Sequence, residues 1–468
     1  MSRFVPPFPP HDPTDPKGFS YMTVVKRWPI ILTGIINDII SRQEALRKDT
    51  NLTPEEQDAA IREGVDIVRE ISRIKAEMSR DREMPEIEQD DGPVVDEFNQ
   101  QLKELGEKGT WFKAPWLYAE CYLYRLIRSY FAKTKFWHQH DPFLEQKNQT
   151  FRSSSAAVHK LAQSLLELDS QKEKLSNDES ALKTLFGEML HMCLWGNATD
   201  LSLLTNMTHS DIQKLQTVSK DEQAERAQYI LLDNGEMAWD QLQKSRNRVD
   251  MVLDNAGFEL YTDLIFAEFL VSLLGVRKVV FHPKALPWFV SDVTPPDFSQ
   301  TISILQNANE WSSGDESEDA RSALGKVASR FQERMTNGIF ELSVPLSTKL
   351  GEPVPGSGYE FWTSPSAYYY MQDEAPDLLH TLSKSSLVIF KGDLNYRKLT
   401  GDIKWPVSTP FCEALGPLRG AFPILSLRTN KADVAVGVSE EVAKKLDEQG
   451  VAWRTSGQYA LISFDAKA

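Results

Sequence analysis

The chain has 468 residues, 41% of them hydrophobic and 25% charged, a near-average globular composition that excludes wholesale disorder, collagen-like repeats and a small disulfide-stapled fold. Acidic residues outnumber basic ones 67 to 52, a formal charge of -15 with no Lys/Arg run to offset it. That balance sets aside nucleic acid and anionic membranes as partners, and leaves a small anionic substrate open wherever a few cations or a metal ion converge.

Only three cysteines occur, Cys121, Cys193 and Cys412, none in a CxxC pair, so neither a zinc cluster nor a disulfide framework is expected. The proline-rich opening, MSRFVPPFPPHDPTDPKG, lacks the apolar run of a signal peptide, and apolar stretches such as PIILTGII fall short of the ~20 residues of a membrane span. The expected location is a reducing compartment, cytoplasmic or shared with the nucleus, with no obligate protein partner in view. Thr53-Pro54-Glu55-Glu56 has the form of a capped helix start, and Ile61, Val65, Val68, Ile71, Ile74 and Met78 then recur at steps of three or four, which predicts an amphipathic helix. Residues 81–97 hold eight acidic residues against one basic and two prolines, the composition of a solvated linker. Helical pattern resumes in PWLYAECYLYRLIRSYFAKTKF and through 155–194. Residues 1–205 therefore read as a mostly helical region.

Beyond residue 205 the period changes. Short β-branched or aromatic runs at 248–254, 277–281, 386–390, 422–427, 433–438 and 460–465 predict strands, several apolar enough to be covered on both faces. The segment 259–274 reads as a crossover helix, and 307–322 and 352–366 read as loops. Residues 206–468 thus form an α/β layered core, the part of the chain expected to carry the site.

In an open α/β sheet, ligands bind beyond the carboxyl ends of the strands. Three runs present polar groups there: RVDMVLD leads into Asp254-Asn255-Ala256-Gly257, SLVIF into Lys391-Gly392-Asp393-Leu394-Asn395-Tyr396-Arg397, and FPILSL into Arg428-Thr429-Asn430-Lys431. Carboxylate and amide oxygens suit Mg²⁺ or Mn²⁺, and the cations Arg397, Arg428 and Lys431 would complement an anion, so the pattern points to phosphoryl chemistry. Each signal also has a plainer reading. Asp-Asn pairs often make turns and caps, as Asp233-Asn234-Gly235 is expected to do, and Arg428 and Lys431 read equally as solvated charges. Glu120 reads as exposed, as paired with Arg125, or as part of a site.

The segments KRWPIIL (26–32), WLYAECYLYRL (116–126), LWGNATDLSLL (194–204), LDNAGFELYTDL (253–264), WFVSDV (288–293), VIFKGDLNYRKLTGD (388–402) and SLRTNKADV (426–434) run over nearly the whole chain. In this order they resemble the metal-dependent damage-control phosphatases, in particular the eukaryotic subfamily marked by an RTxK motif. The resemblance implies a three-layer α/β/α core with a mostly helical N-terminal region. It also implies a divalent cation, Mn²⁺, Co²⁺, Ni²⁺ or Mg²⁺, held by Asp254, Asn255 and Asp292. Substrate contacts are implied for Asp254, Asn255, Asp393, Leu394, Asn395, Tyr396, Arg397 and Lys431, with Glu120 and Asn197 on the sugar side. The implied activity is hydrolysis of sugar phosphates such as fructose 1-phosphate and fructose 6-phosphate. Lys431 and Arg397 would stabilise charge on the transferring group. Asp254 would serve as ligand, with a further role as base or nucleophile left open. A related protein has been described as an S-adenosylmethionine-dependent carboxyl methyltransferase, for which Glu259 and Asp292 would be the contacts. The single Gly257 in DNAGFE, with no GxGxxG, weighs against that alternative.

Overall fold

The computed structural model describes residues 3–170, 172–196, 228–307 and 317–468. Among them, one sheet is built from seven strands: β1 (Ile230–Asp233), β2 (Val249–Val252), β3 (Val279–His282), β4 (Phe340–Leu342), β5 (Leu387–Lys391), β6 (Ile424–Thr429) and β7 (Ala460–Asp465). Their spatial order is β1-β7-β6-β5-β2-β3-β4, and every neighbouring pair is parallel except β6 with β7.

Side-chain alternation along these strands divides the apolar residues between two cores. Val249, Met251, Leu253, Leu387, Ile389, Leu425, Leu427 and Ile462 enter one, whereas Val252, Val388, Phe390, Ile424 and Leu461 enter the other. A sheet that is apolar on both faces must be covered on both, and helices cover it. The second core holds α1 (Trp28–Leu46), α2 (Pro54–Met78), α3 (Val95–Leu105) and α4 (Trp116–Ala132). The first takes α5 (Leu144–Ser153), α6 (Ser155–Ser170), α7 (Glu179–Trp195), α8 (Gly235–Lys244), α9 (Phe258–Ser272), α10 (Pro295–Gln306) and α11 (Glu318–Thr336). The chain then returns to the second core with α12 (Gly392–Thr400) and α13 (Glu440–Glu448). The architecture is a three-layer α/β/α sandwich with an extended helical N-terminal part. No helix among the described residues is long and apolar enough to cross a membrane.

The predicted start of α2 forms a full capping box. Thr53 Oγ1 accepts from the Glu56 amide at 3.2 Å and Glu56 Oε2 from the Thr53 amide at 3.1 Å. Its buried stripe runs through Ile67, Ile71, Ile74 and Met78, while Val65, assigned to that stripe from its spacing, is exposed.

Three expectations are corrected. The acidic stretch 81–97 is not a solvated linker: Met84 and Ile87 are buried, and α3 already begins at Val95. Asp90 takes bonds of 3.0 and 2.5 Å from Arg125, which sits in the buried face of α4 and would be costly there without a counter-charge. The run 433–438 forms no strand. Its apolar side chains are buried, but its backbone bonds to side chains and to the 407–409 loop instead of a neighbouring strand, with Gly437 N donating to Thr409 O at 2.8 Å and Val438 N to Val407 O at 3.1 Å. Arg428 donates to the carbonyls of Ala432 and Val434, and the Val436 amide donates to the Tyr396 hydroxyl. Finally, the loop expected over 307–322 gives way at Glu318 to α11, capped by Ser317.

Candidate metal and phosphate site

Beyond the carboxyl end of β2 the chain continues as Leu253-Asp254-Asn255, and Asn255 pairs with Asp292 in an isolated antiparallel bridge. Flanking backbone bonds tighten the approach: Val293 N donates to Asp254 O, and Ala256 N to Ser291 O, both at 2.7 Å. Asp254, Asn255 and Asp292 are thereby gathered at one buried point. The Asn255 amide donates through Nδ2 to Glu259 Oε2 (2.7 Å) and Asp254 Oδ2 (3.1 Å), while its Oδ1 accepts from Ser291 Oγ at 2.5 Å. Lys147 on α5 secures the far side, donating to the Asp292 carbonyl at 3.2 Å and to the carboxylates of Asp141 and Asp297 at 2.8 Å.

Gly392 opens α12 directly against this cluster. Its φ is +82°, and a Cβ there would collide with the Asp254 carboxylate. Only glycine lets the amino end of α12 come so close, which sets the positive end of the helix dipole beside the carboxylates.

The remaining sequence-predicted residues divide sharply. Asp393 lies on the first turn of α12 and accepts from Arg428 Nε (2.7 Å) and from the Lys431 amide (3.0 Å), so it ties the RTxK segment to the helix start. Lys431 is buried, and its aliphatic stem passes 3.8 Å from the position a Cβ on Gly457 would take. Leu394 is a core residue, and Tyr396 stacks under the Arg428 guanidinium at 4.2 Å. Asn395 joins the ends of two strands, donating to the carbonyls of Leu253 (3.1 Å) and Lys391 (2.7 Å).

Arg397 does not face the carboxylate cluster. Its guanidinium donates to Glu120 Oε2 (2.8 Å) and Asp402 (3.3 and 3.2 Å) and lies over the Trp116 ring. Burial disfavours that charge, but Asp402 and Glu120 more than offset it and raise the pKa. Arg428 is likewise fully buried and bonded to protein carbonyls and Asp393, so neither arginine is the anion-facing cation its position after a strand suggested. Glu120 pairs with Arg397, not Arg125, and also accepts from Trp28 Nε1 at 3.2 Å. Asn197 lies outside the described residues.

Two further lysines lie beside the cluster: Lys284, which the sequence reading did not single out, and Lys391, which it quoted after SLVIF without giving it a role. Lys284 follows the end of β3, donates to Leu253 O (2.8 Å) and Asn395 Oδ1 (3.0 Å), and comes 3.7 Å from Asp292 Oδ2. Burial lowers its pKa, with Asp292 and Asp254 pulling the other way without cancelling the effect. Lys391 ends β5 and reaches Asp263 Oδ1 (2.8 Å), Glu259 Oε1 (3.0 Å) and the Cys193 carbonyl (2.7 Å). Burial alone would lower it, but Asp263, Cys193 and Glu259 hold it well above the usual lysine value. Both lysines sit at a carboxyl end of a parallel strand, the same positional rule that singled out Asp254.

Residues 23–446 match the family model described as the damage-control phosphatase ARMT1-like domain. The chain belongs to that family. It is 36% identical to the damage-control phosphatase ARMT1 of Danio rerio over 464 residues, covering 96% of this chain and 95% of the relative. The Homo sapiens protein of the same name is 34% identical over 473 residues, covering 96% and 97%. A solved duf89 family protein from Pyrococcus horikoshii covers 80% of this chain and 92% of its own at 14% identity, with a TM-score of 0.36, too distant a likeness to add to the argument. Membership makes this chain an enzyme of the phosphatase class.

Among the described residues no three His, Cys, Asp or Glu side chains converge as a metal cluster. The donors that do converge are two carboxylates and one amide, an oxygen set suited to a hard divalent cation, with the glycine cradle at residue 392 beside it.

Proposed function

We propose that this chain is a divalent-metal-dependent phosphatase acting on small sugar phosphates, fructose 1-phosphate and fructose 6-phosphate among them, and removing reactive phosphometabolites. The observation that carries the reading is the Asn255–Asp292 bridge, which brings Asp254, Asn255 and Asp292 together at the carboxyl end of a central parallel strand, against the amino end of α12. In this reading those three residues hold the cation, and Mn²⁺, Co²⁺, Ni²⁺ and Mg²⁺ all suit an oxygen-only set. Such a cation, when bound, supplies Lewis-acid polarisation of a phosphoryl oxygen.

The chain itself supplies orientation and charge. The amino end of α12 offers backbone amides and a dipole that favour a phosphate. Lys431 is the cation assigned to the phosphoryl group, held in place because Asp393 fixes its main chain. Lys284 offsets part of the negative charge of Asp254 and Asp292 from within the protein. Stabilising charge in a preorganised site is most of what phosphoryl transfer requires.

The methyltransferase alternative gains no support from Glu259 as a cofactor contact. That residue is fully buried, with one carboxylate oxygen beside Lys391 and the other accepting from Asn255. The deciding experiment takes chelator-stripped protein, adds back one divalent metal at a time, and measures phosphate release from a panel of phosphorylated metabolites beside methyl transfer from S-adenosylmethionine. Metal-restored release from sugar phosphates is expected. Methyl transfer to protein carboxylates by metal-free enzyme, without phosphate release from any sugar phosphate, would overturn the proposal.

A further inference from the structure

Asn255 differs from the carboxylates beside it in one respect. An amide has an oxygen edge and a nitrogen edge, and only the oxygen can ligate a hard cation. Turned over, Asn255 would present N–H groups to the cation and bind nothing. Ligation by this residue therefore needs something that fixes which way the amide faces, and the structure contains a chain of groups with fixed polarity leading to it.

The chain begins at Lys391, an ammonium that can only donate. It is fully buried and held by Asp263 Oδ1 at 2.8 Å and by the Cys193 carbonyl at 2.7 Å. Its Nζ lies 3.0 Å from Glu259 Oε1. Glu259, a carboxylate that can only accept, presents its other oxygen, Oε2, to Asn255 Nδ2 at 2.7 Å and to the Asn255 backbone amide at 3.4 Å. The nitrogen edge of Asn255 is thus drawn chiefly to Glu259, with a longer bond of 3.1 Å to Asp254 Oδ2. The oxygen edge turns the opposite way, toward Ser291 Oγ, on the residue next to Asp292.

We propose that Glu259 and Lys391 are positioning residues that fix the Asn255 amide with its oxygen toward the divalent-cation site; the inference rests on the metal-dependent reading above. Glu259 touches neither cation nor substrate and acts only through Asn255. Partners of this kind around a metal ligand commonly set metal affinity by one to two orders of magnitude.

The test is Mn²⁺ titration of chelator-stripped protein by calorimetry, with the melting temperature of each metal-free variant measured in parallel. Glu259→Gln is nearly isosteric but offers a donor as readily as an acceptor, so the Mn²⁺ Kd is expected to rise about 10- to 100-fold. Asn255→Asp adds a negative charge to a cation site and would tighten binding if residue 255 contributed only an oxygen. Facing Glu259 it instead sets carboxylate against carboxylate, and Mn²⁺ binding is expected to weaken by about tenfold or more. The double variant Asn255→Asp/Glu259→Gln reverses the polarity of the pair at unchanged total charge and is expected to recover most of the lost affinity. Glu268→Gln, on the same helix but bonded to Arg334 and Ser272, serves as a structural control: a lower melting temperature with unchanged Mn²⁺ Kd.

Binding by Asn255→Asp as tight as wild type, or a double variant no better than either single, would overturn the inference. Should Glu259→Gln alone fail to fold, the Asn255→Asp and double-variant titrations still decide. Wild-type protein that binds no Mn²⁺, or Asp254→Ala that binds it unchanged, would instead overturn the metal-dependent reading itself.

Discussion

Asp254 and Asp233 are each followed by Asn after an apolar run, and the structure gives them different surroundings. Asp233 accepts from the Gly235 amide at 2.8 Å and from His191 at 2.9 Å, an ordinary turn at the start of α8. Asp254 faces Gly392, Asn255 and the Asp292 bridge. Asp254→Ala is therefore expected to abolish phosphate release with little loss of stability, because it removes a ligand while relieving repulsion with Asp292. Asp233→Ala should turn over near the wild-type rate. Comparable losses at the two positions, in steady-state assays on fructose 1-phosphate, would show that the wrong Asp-Asn pair had been chosen. Lys431 allows a second comparison. Lys431→Ala is expected to lower kcat/KM about 100- to 1000-fold, the scale of losing one preorganised electrostatic contact worth about 3 to 4 kcal/mol, with metal affinity little changed. Lys431→Arg should recover only part, since a forked guanidinium needs more room than an ammonium. Unchanged kinetics in Lys431→Ala would remove this lysine from the site.

Elements were legible in proportion to their burial. Strands β2, β5, β6 and β7 are buried along their whole length, so each reads as a mainly apolar run despite buried polar residues such as Asp250, Ser426 and Ser463, and α9 between β2 and β3 reads as their crossover. Strands β1 and β4 occupy the two edges, have only four and three residues, and are partly exposed, so the short apolar run before Asp233 and the Phe340–Leu342 segment are too brief to be read as strands. Residues 433–438 misled for a tertiary reason. Their apolar character reports burial correctly, but their backbone is partnered by the Arg428 and Tyr396 side chains and by the carbonyls of Val407 and Thr409, which spacing along the chain does not reveal. The same limit applied to Arg397 and Arg428, whose positions beyond strands or on α12 suggested an anion when their partners are Glu120, Asp402, Asp393 and backbone carbonyls. Arg428 carries a prediction at this scale. Arg428→Lys keeps the charge but loses the fork that joins Asp393 to the 432–434 carbonyls. The RTxK segment should loosen, lowering kcat/KM on sugar phosphates while the Mn²⁺ Kd of the Asp254 cluster stays at the wild-type value. Equal loss of both would show that the segment and the cluster form one unit.

Across the whole molecule, the helical N-terminal part is joined to the core by buried polar links such as Glu120–Arg397 and Lys147–Asp297, and it is braced internally by Asp90–Arg125. Burial raises the Asp90 pKa, but the hydrogen bonds and charge of Arg125 outweigh it and leave the carboxyl below the usual value of 3.8. A carboxyl whose folded pKa is depressed contributes stability that is present above its unfolded pKa and lost as pH falls through the folded one. Asp90→Asn is accordingly expected to cost about 3 kcal/mol at pH 7, from a buried arginine left without its counter-charge. The gap from wild type should narrow below about pH 4. Denaturant titrations at pH 7 and pH 3.5 check this, and a constant gap would assign the loss to packing alone. The sheet order bears on how the protein is made. β7 lies between β1 and β6, so residues 230–233 have no strand partner until 460–465 have been synthesised, more than two hundred residues later. During synthesis β2 to β6 have their partners among themselves, whereas the open edge of β6 and an unpaired β1 face solvent until β7 is made, so closing this side of the sheet comes last. A chain halted before residue 460 would keep that unpaired edge exposed to other chains, however stable the finished fold.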